Sequence, residues 1–218
     1  KILRNIDDVK KELENKTDYK YIQLDPFFRN ENFGIVFNAN SIKDKHNLYK
    51  SINLNTNIFE KIFFKFSSFF INFITWRIFY KTFFLFYFNS SKQLDIYNFH
   101  YSSKYKHLIP FLCKNGLSDY EFLIKKDFKK TMNNIINFLK INKMYAVYIV
   151  VKKIYRSKNK YAYQFSDNGY AVAMAFDRNN ASKKTFDLFE KKISDLKLKL
   201  NLSKSNYHIT KSNRDKKN

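Results

Sequence analysis

The side chains best placed to do chemistry lie in the last third of the chain, residues 144–204, which closes on a lysine in the run Leu-Asn-Leu-Ser-Lys at 200–204. Much chemistry is excluded at once. Cys113 is the only cysteine, so no internal disulfide and no thiolate metal site can form. His46, His100, His107 and His208 stand at no metal-ligand spacing and read as surface or hydrogen-bonding histidines. No G-x-G-x-x-G, P-loop, G-x-S-x-G or H-E-x-x-H run occurs. With three glycines in all, the chain has no glycine loop to cradle a pyrophosphate and no nucleophile elbow. One strand-like stretch stands out. Along residues 170–176, Val172, Met174 and Phe176 face one way, and Ala171, Ala173 and Ala175 face the other. A face of alanines either lets a flat ligand or another backbone come close, or lies under a helix.

The elements that must position these residues follow from periodicity. Residues 119–124 predict a strand. Asp127 stands where it can cap a helix to about Ile141, with Phe128, Met132, Ile135, Ile136 and Leu139 on one face. Residues 144–151 and 161–165 predict further strands, and Asp167-Asn168-Gly169 predicts a turn. A helix from Ser182 presents Phe186, Phe189, Ile193 and Leu196, and a last strand covers 197–203. Upstream, residues 6–15 predict a short helix, and 19–25 and 34–38 two strands. Residues 41–56 are polar and predict a loop. The order β-α-β-β-β-α-β from Asp119 onward predicts an α+β fold: an antiparallel sheet with helices packed on one face and ferredoxin-like β-α-β elements.

Composition limits the alternatives. With 218 residues, 44% hydrophobic and 19% aromatic, the chain can build a packed core. It does not start with Met and opens on no signal-peptide pattern, so it reads as a fragment of a longer polypeptide. The formal charge of +22 invites a nucleic-acid reading. However, Lys, Asn, Ile, Phe and Tyr all use A/T-rich codons, and Arg, the better phosphate reader, is scarce. The charge therefore reads first as codon drift, with anionic partners as a secondary consequence. In the aromatic tract 58–88, Glu60, Lys61, Lys65, Arg77 and Lys81 interrupt the apolar run. Its longest uncharged window, 66–76, falls short of the roughly 20 residues of a spanning helix, so a buried or interfacial segment is expected.

Residues 168–176 faintly resemble the core strand of RNA-recognition domains. Asn168 stands where that pattern needs a basic residue, and Val172 and Ala175 where it needs aromatics. The same stretch fits another pattern better. Residues 169–177 resemble the Gly-Trp-x-Val-x-x-Asp-Phe-Pro strand of FAD-linked sugar oxidases. Residues 19–26 look like a Tyr-x-Val-x-Trp-Ile-Asp strand, and 34–41 sit where a Gly-Arg-x-Leu strand is expected. Residues 66–84 resemble a Pro-Ser-Phe-Leu-Asn…Arg-x-Phe-Asn segment, with Arg77 and Phe79 in place. Residues 98–103 resemble a Phe-Phe-Tyr-Pro-Leu-Asp loop, 115–122 a Lys-Gly-Phe-Leu-Gln-Tyr-Gln-Phe strand, and 148–155 a strand ending Leu-Lys-x-Phe. Residues 200–207 look like Leu-Tyr-x-Ala-Lys-Asp-Ser-Arg. The blocks run in family order from Tyr19 to Tyr207. Together they resemble the vanillyl-alcohol-oxidase superfamily, and within it the decaprenylphosphoryl-ribose oxidase type.

That resemblance implies a division into residues 1–18 as a linker or helix from an N-terminal FAD-binding domain, 19–207 as the substrate-binding domain, and 208–218 as a basic frayed tail. It implies an FAD-dependent oxidoreductase, inactive as this fragment alone, that oxidises a sugar or polyol hydroxyl. A polyprenyl-phosphate sugar (the oxidation half of ribose 2′-epimerisation), a sugar alcohol or a lactone is the implied substrate. FAD would be bound mainly by the other domain. By position, Lys204 falls on a catalytic and flavin-side lysine and Lys152 on a substrate-side lysine. Asp119 and Glu121 replace two glutamines, turning hydrogen-bond donors into acceptors, and Ala173 falls on the substrate side of its strand. The family's Asp and Arg after the lysine are Ser205 and Tyr207 here. The implied setting is cytoplasmic, peripheral to the inner membrane, with a reductase partner for the second half-reaction and no nucleic acid. The rival reading is a non-enzymatic basic module that binds nucleic acid or an anionic membrane surface.

Overall fold

The computed structural model describes residues 1–28, 33–40, 78, 117–155, 168–177, 182–196 and 199–200. The chain divides into two compact units, residues 1–40 with 117–218 and residues 41–116, and the elements described here all belong to the first. The expectations for 41–56, 58–88, 98–103, 161–165 and 204–218 lie outside the described residues, save that Ile78 is an exposed helical residue.

Seven strands form one sheet in the order β1-β3-β2-β5-β6-β4-β7, every pairing antiparallel. They are β1 (Ile2–Leu3), β2 (Tyr19–Leu24), β3 (Gly34–Ala39), β4 (Leu117–Ile124), β5 (Tyr148–Ile154), β6 (Gly169–Asp177) and β7 (Lys199–Leu200). Three helices are described: α1 (Ile6–Glu14), α2 (Phe128–Ile141) and α3 (Lys183–Asp195). From β4 onward the order is β-α-β-β-α-β. Each helical crossover steps over one strand: β4 and β5 flank β6, and β6 and β7 flank β4. This is the split β-α-β arrangement of ferredoxin-like folds. β2, β3, β1 and α1 extend the sheet beyond β5.

β6 is the hub, because its nine residues pair along their length with β4 on one side and with β5 on the other. Its first residue, Gly169, has no space for a side chain. A Cβ there would sit 2.7 Å from the backbone oxygen of Ile124 and 2.9 Å from Leu123 Cδ1. On one face of the sheet, Ile22 and Leu24, Ile149 and Val151, Val172, Met174 and Phe176, and Phe122 and Ile124 are all buried. They share one core cluster with Val9 and Leu13 of α1, Phe128, Met132, Ile135 and Leu139 of α2, and Phe189 and Ile193 of α3. The expected α+β class, with helices on one face, is therefore what the chain forms.

Local chemistry sets the helix ends. Asn5 caps α1 by accepting from the Asp8 amide at 2.9 Å. At its other end, Lys20 Nζ donates to the carbonyls of Glu12 and Asn15, both at 2.9 Å, and so satisfies groups the helix leaves open. Ser182 caps α3 through the Thr185 amide at 3.2 Å. Asp127 does not cap α2 as expected. It takes a left-handed backbone (φ 52°), and its side chain makes no capping bond. Residues 1–18, expected as a linker with a helix over 6–15, carry that helix as α1 together with β1, and Leu3, Ile6, Val9 and Leu13 are part of the core.

Candidate functional site

The helices cover the face of Val172, Met174 and Phe176, so among the described residues no helix lies over Ala171, Ala173 and Ala175. Those alanines form the floor of a trough on the second face of the sheet. The register builds its walls. Ala175 lies between Tyr148 of β5 and Asp119 of β4, Ala173 between Val150 and Glu121, and Ala171 between Lys152 and Leu123. Neighbouring strands are about 4.8 Å apart, so the walls stand about 10 Å apart, with successive rows about 7 Å further along. Gln23, 6% exposed, extends the middle row beyond Val150.

The methyl group of Ala175 is too short to keep its neighbours apart. The Tyr148 hydroxyl reaches across it and donates to Asp119 Oδ1 at 3.1 Å. This bond closes one end of the trough, and Ala175 beneath it is fully buried. At the other end Ala171 is 2% exposed and packs with Leu123 and Ile154. Only Ala173, in the middle, keeps partial exposure. The floor is thus open at its centre, with Glu121 and Asp119 along one wall and Lys152 diagonally opposite.

The structure brings Asp119, Glu121, Lys152 and Ala173 to this one face. Lys204 lies outside the described residues. Tyr148 was missed in the sequence, although it shares the parity of Lys152 in the same strand, and that parity could have placed it. The rest of the site is acceptor-rich: two carboxylates can receive hydrogen bonds from a polyhydroxylated ligand, and one lysine can donate.

Burial raises the Asp119 carboxyl above its ordinary value near 3.8, and the Tyr148 hydrogen bond pulls it the other way. A carboxyl raised in the fold binds its proton more tightly there than in the unfolded chain. Its stabilising contribution is full below about pH 3.8 and is lost as pH climbs through the folded value. Asp119→Asn keeps an acceptor for Tyr148 but cannot titrate. The stability of wild type relative to this variant should therefore fall as pH rises across that window. Urea midpoints of both proteins between pH 3 and 8 would test this, and a difference that stays flat with pH would refute it.

On the helix face, the Tyr120 hydroxyl donates to Glu190 Oε1 at 3.0 Å, within a ring cluster of Phe176, Phe186 and Phe189. Burial and the neighbouring Glu190 raise its ionisation well above the usual tyrosine range, so it stays a neutral donor that ties α3 to β4. The Tyr170 hydroxyl and Lys153 both bond Glu14 of α1. Tyr170 is pushed up to about 12, by burial first and by Glu14 second.

No group of three or more His, Cys, Asp or Glu among the described residues could hold a metal ion. No helix among them is long and apolar enough to cross a membrane. No protein-family model matches this chain, and no curated protein matches it.

Proposed function

We propose that this chain is the substrate-binding portion of an FAD-dependent oxidoreductase that oxidises a sugar or polyol hydroxyl to a ketone. The observation that supports this reading is the trough itself. Asp119 and Glu121, Lys152, and Ala173 come from three different strands and were singled out by resemblance to the sugar oxidases, and they lie on one face around one alanine floor. Three strands of independent parity would agree in this way about one time in four.

FAD, held chiefly by another domain, would supply the hydride acceptor. The residues of this chain bind and orient the hydroxyl that gives the hydride up. Glu121 accepts hydrogen bonds from substrate hydroxyls across the open centre of the floor. Asp119, half-buried and held in place by Tyr148, takes the hydroxyl proton, so that hydride and proton together leave a ketone. A raised carboxyl is the stronger base for that step. Lys152 supplies a positive charge on the opposite wall, and Lys204 is proposed as the flavin-side cation that stabilises charge arriving with the hydride. A polyprenyl-phosphate sugar is the proposed substrate, and contact with a membrane surface and a reductase for the second half-reaction are proposed with it.

The test is the visible spectrum of the full-length protein that carries this segment. A flavin spectrum is expected that bleaches anaerobically with polyprenyl-phosphate ribose or a free sugar alcohol, and bleaches at least 100-fold more slowly in Lys204→Ala. A colourless protein that binds RNA or anionic vesicles in a salt-sensitive way would overturn the reading in favour of a basic module.

A further inference from the structure

On the helix-covered side of the sheet, a cleft of about 660 Å³ opens beside the start of α2. Three elements supply its charge: Lys10 from α1, Lys125 and Lys126 from the β4–α2 connection, and Lys129 and Lys130 from the first turn of α2. Half of its ten lining residues are lysines, whereas Lys and Arg together make up 41 of the 218 residues of the chain. Asp127 is the one acid in the lining. Asn133 and Asn134 add side-chain amides one turn on. The buried Phe128 and the ring of Tyr170, with centroids 4.4 Å apart, form a firm wall.

These lysines are not all committed elsewhere. Lys129 pairs with Asp7 at 2.7 Å, and Lys125 also has a partner. Lys126 and Lys130 are exposed and meet no carboxylate among the described residues. Like charges gathered around a concavity repel one another and focus a positive potential into it. The cleft is open to solvent over much of its extent, so a ligand there would be held by charge rather than by enclosure. Lysines bind phosphate as point charges, and asparagine amides add directed donors.

We propose that this cleft binds a ligand through two or more phosphate groups. Lys126 and Lys130 are its main contacts, and Lys10, Asn133 and Asn134 complete the site. The phosphates can belong to a free phosphorylated small molecule or to the head group of an anionic lipid. Such binding stands apart from the trough and would hold whether or not the chain serves a flavin enzyme.

The experiment uses the 218-residue chain, inorganic pyrophosphate by calorimetry, and phosphatidylcholine vesicles with and without phosphatidylinositol bisphosphate by flotation, all at one ionic strength. Lys126→Glu/Lys130→Glu is compared with Lys183→Glu/Lys191→Glu, which makes the same charge change on exposed positions of α3. The cleft pair should weaken binding at least tenfold and the α3 pair less than twofold, with Lys126→Gln/Lys130→Gln in between. Far-ultraviolet circular dichroism should match wild type in all three variants. Loss of pyrophosphate binding would assign a free phosphorylated molecule, and loss of vesicle binding alone would assign a lipid head group. Equal weakening by both charge-reversal pairs would overturn the proposal, because diffuse charge alone would then explain it. So would failure of wild type to bind either probe, or binding of an RNA oligonucleotide only.

Discussion

Phe189→Ala should lower the stability of this chain by about 3–5 kcal/mol, the cost of removing a large side chain from a filled site. Phe189 is fully buried. Its ring meets Tyr120 at 5.2 Å, Phe176 at 5.4 Å and Phe138 at 5.9 Å, so it touches β4, β6 and α2 at once. Only Ile193 joins it as a fully buried residue of α3. Phe186 packs only partly buried at the edge of the core, and the Tyr120–Glu190 bond is too exposed on its Glu190 side to replace the ring. Against a typical total of about 5–15 kcal/mol, the loss is a large fraction. It corresponds to a fall in Tm of roughly 6–20 °C for a chain of this size. Leu188→Ala, one residue away on the exposed side, should stay within about 0.5 kcal/mol of wild type. Urea unfolding of the two variants makes the comparison. If Phe189→Ala were as stable as Leu188→Ala, α3 would not dock on the sheet as described.

What the sequence revealed and what it hid divide along a physical line. Patterns that repeat within a few residues were legible. The faces of α2 and α3, the alternation along 170–176 and, strand 161–165 aside, the order of elements from Asp119 onward stand as expected. These depend on local periodicity, and burial of one face enforces them. Features set by residues distant in sequence were not legible. Asp127 has the right residue type for a cap, yet its backbone is left-handed and its side chain makes no capping bond to α2. β1 was invisible, because two residues have no periodicity and this strand exists only through its pairing with Ile35 and Gly34.

The candidate site divides in the same way. The alanine face of β6 was plain, but whether a helix covered it depended on where α2 and α3 cross. That Tyr148 would bond Asp119 depended on register, since the two are 29 residues apart and joined only through Ala175 between them. The lysine cleft was hidden for a different reason. With a net charge of +22, lysines are everywhere in the sequence, and no local pattern separates five that converge from the many that do not.

The three alanines of β6 should respond differently to the same substitution, and that difference isolates the role of the trough. Ala171→Leu and Ala175→Leu force a larger side chain into space that is already filled, by Leu123 and Ile154 in the first case and by the Tyr148–Asp119 bridge in the second. Each should cost about 1–3 kcal/mol of stability. Ala173 alone of the three keeps partial exposure, so Ala173→Leu should fold with a stability within about 1 kcal/mol of wild type. Its effect should appear in function instead. A leucine there fills the open centre between Val150 and Glu121, where the proposed substrate hydroxyl must lie. Displacing a reacting group by about 1 Å can cost about 100-fold in rate, equivalent to about 2.7 kcal/mol of barrier. In the proposed full-length flavin protein, Ala173→Leu should therefore reduce flavin with substrate at least 100-fold more slowly, while Ala173→Gly stays near wild type. A leucine variant that is stable and still reduces flavin at the wild-type rate would remove the trough as the substrate site. One that unfolds like its two neighbours would mean that the centre of the floor is as filled as its ends.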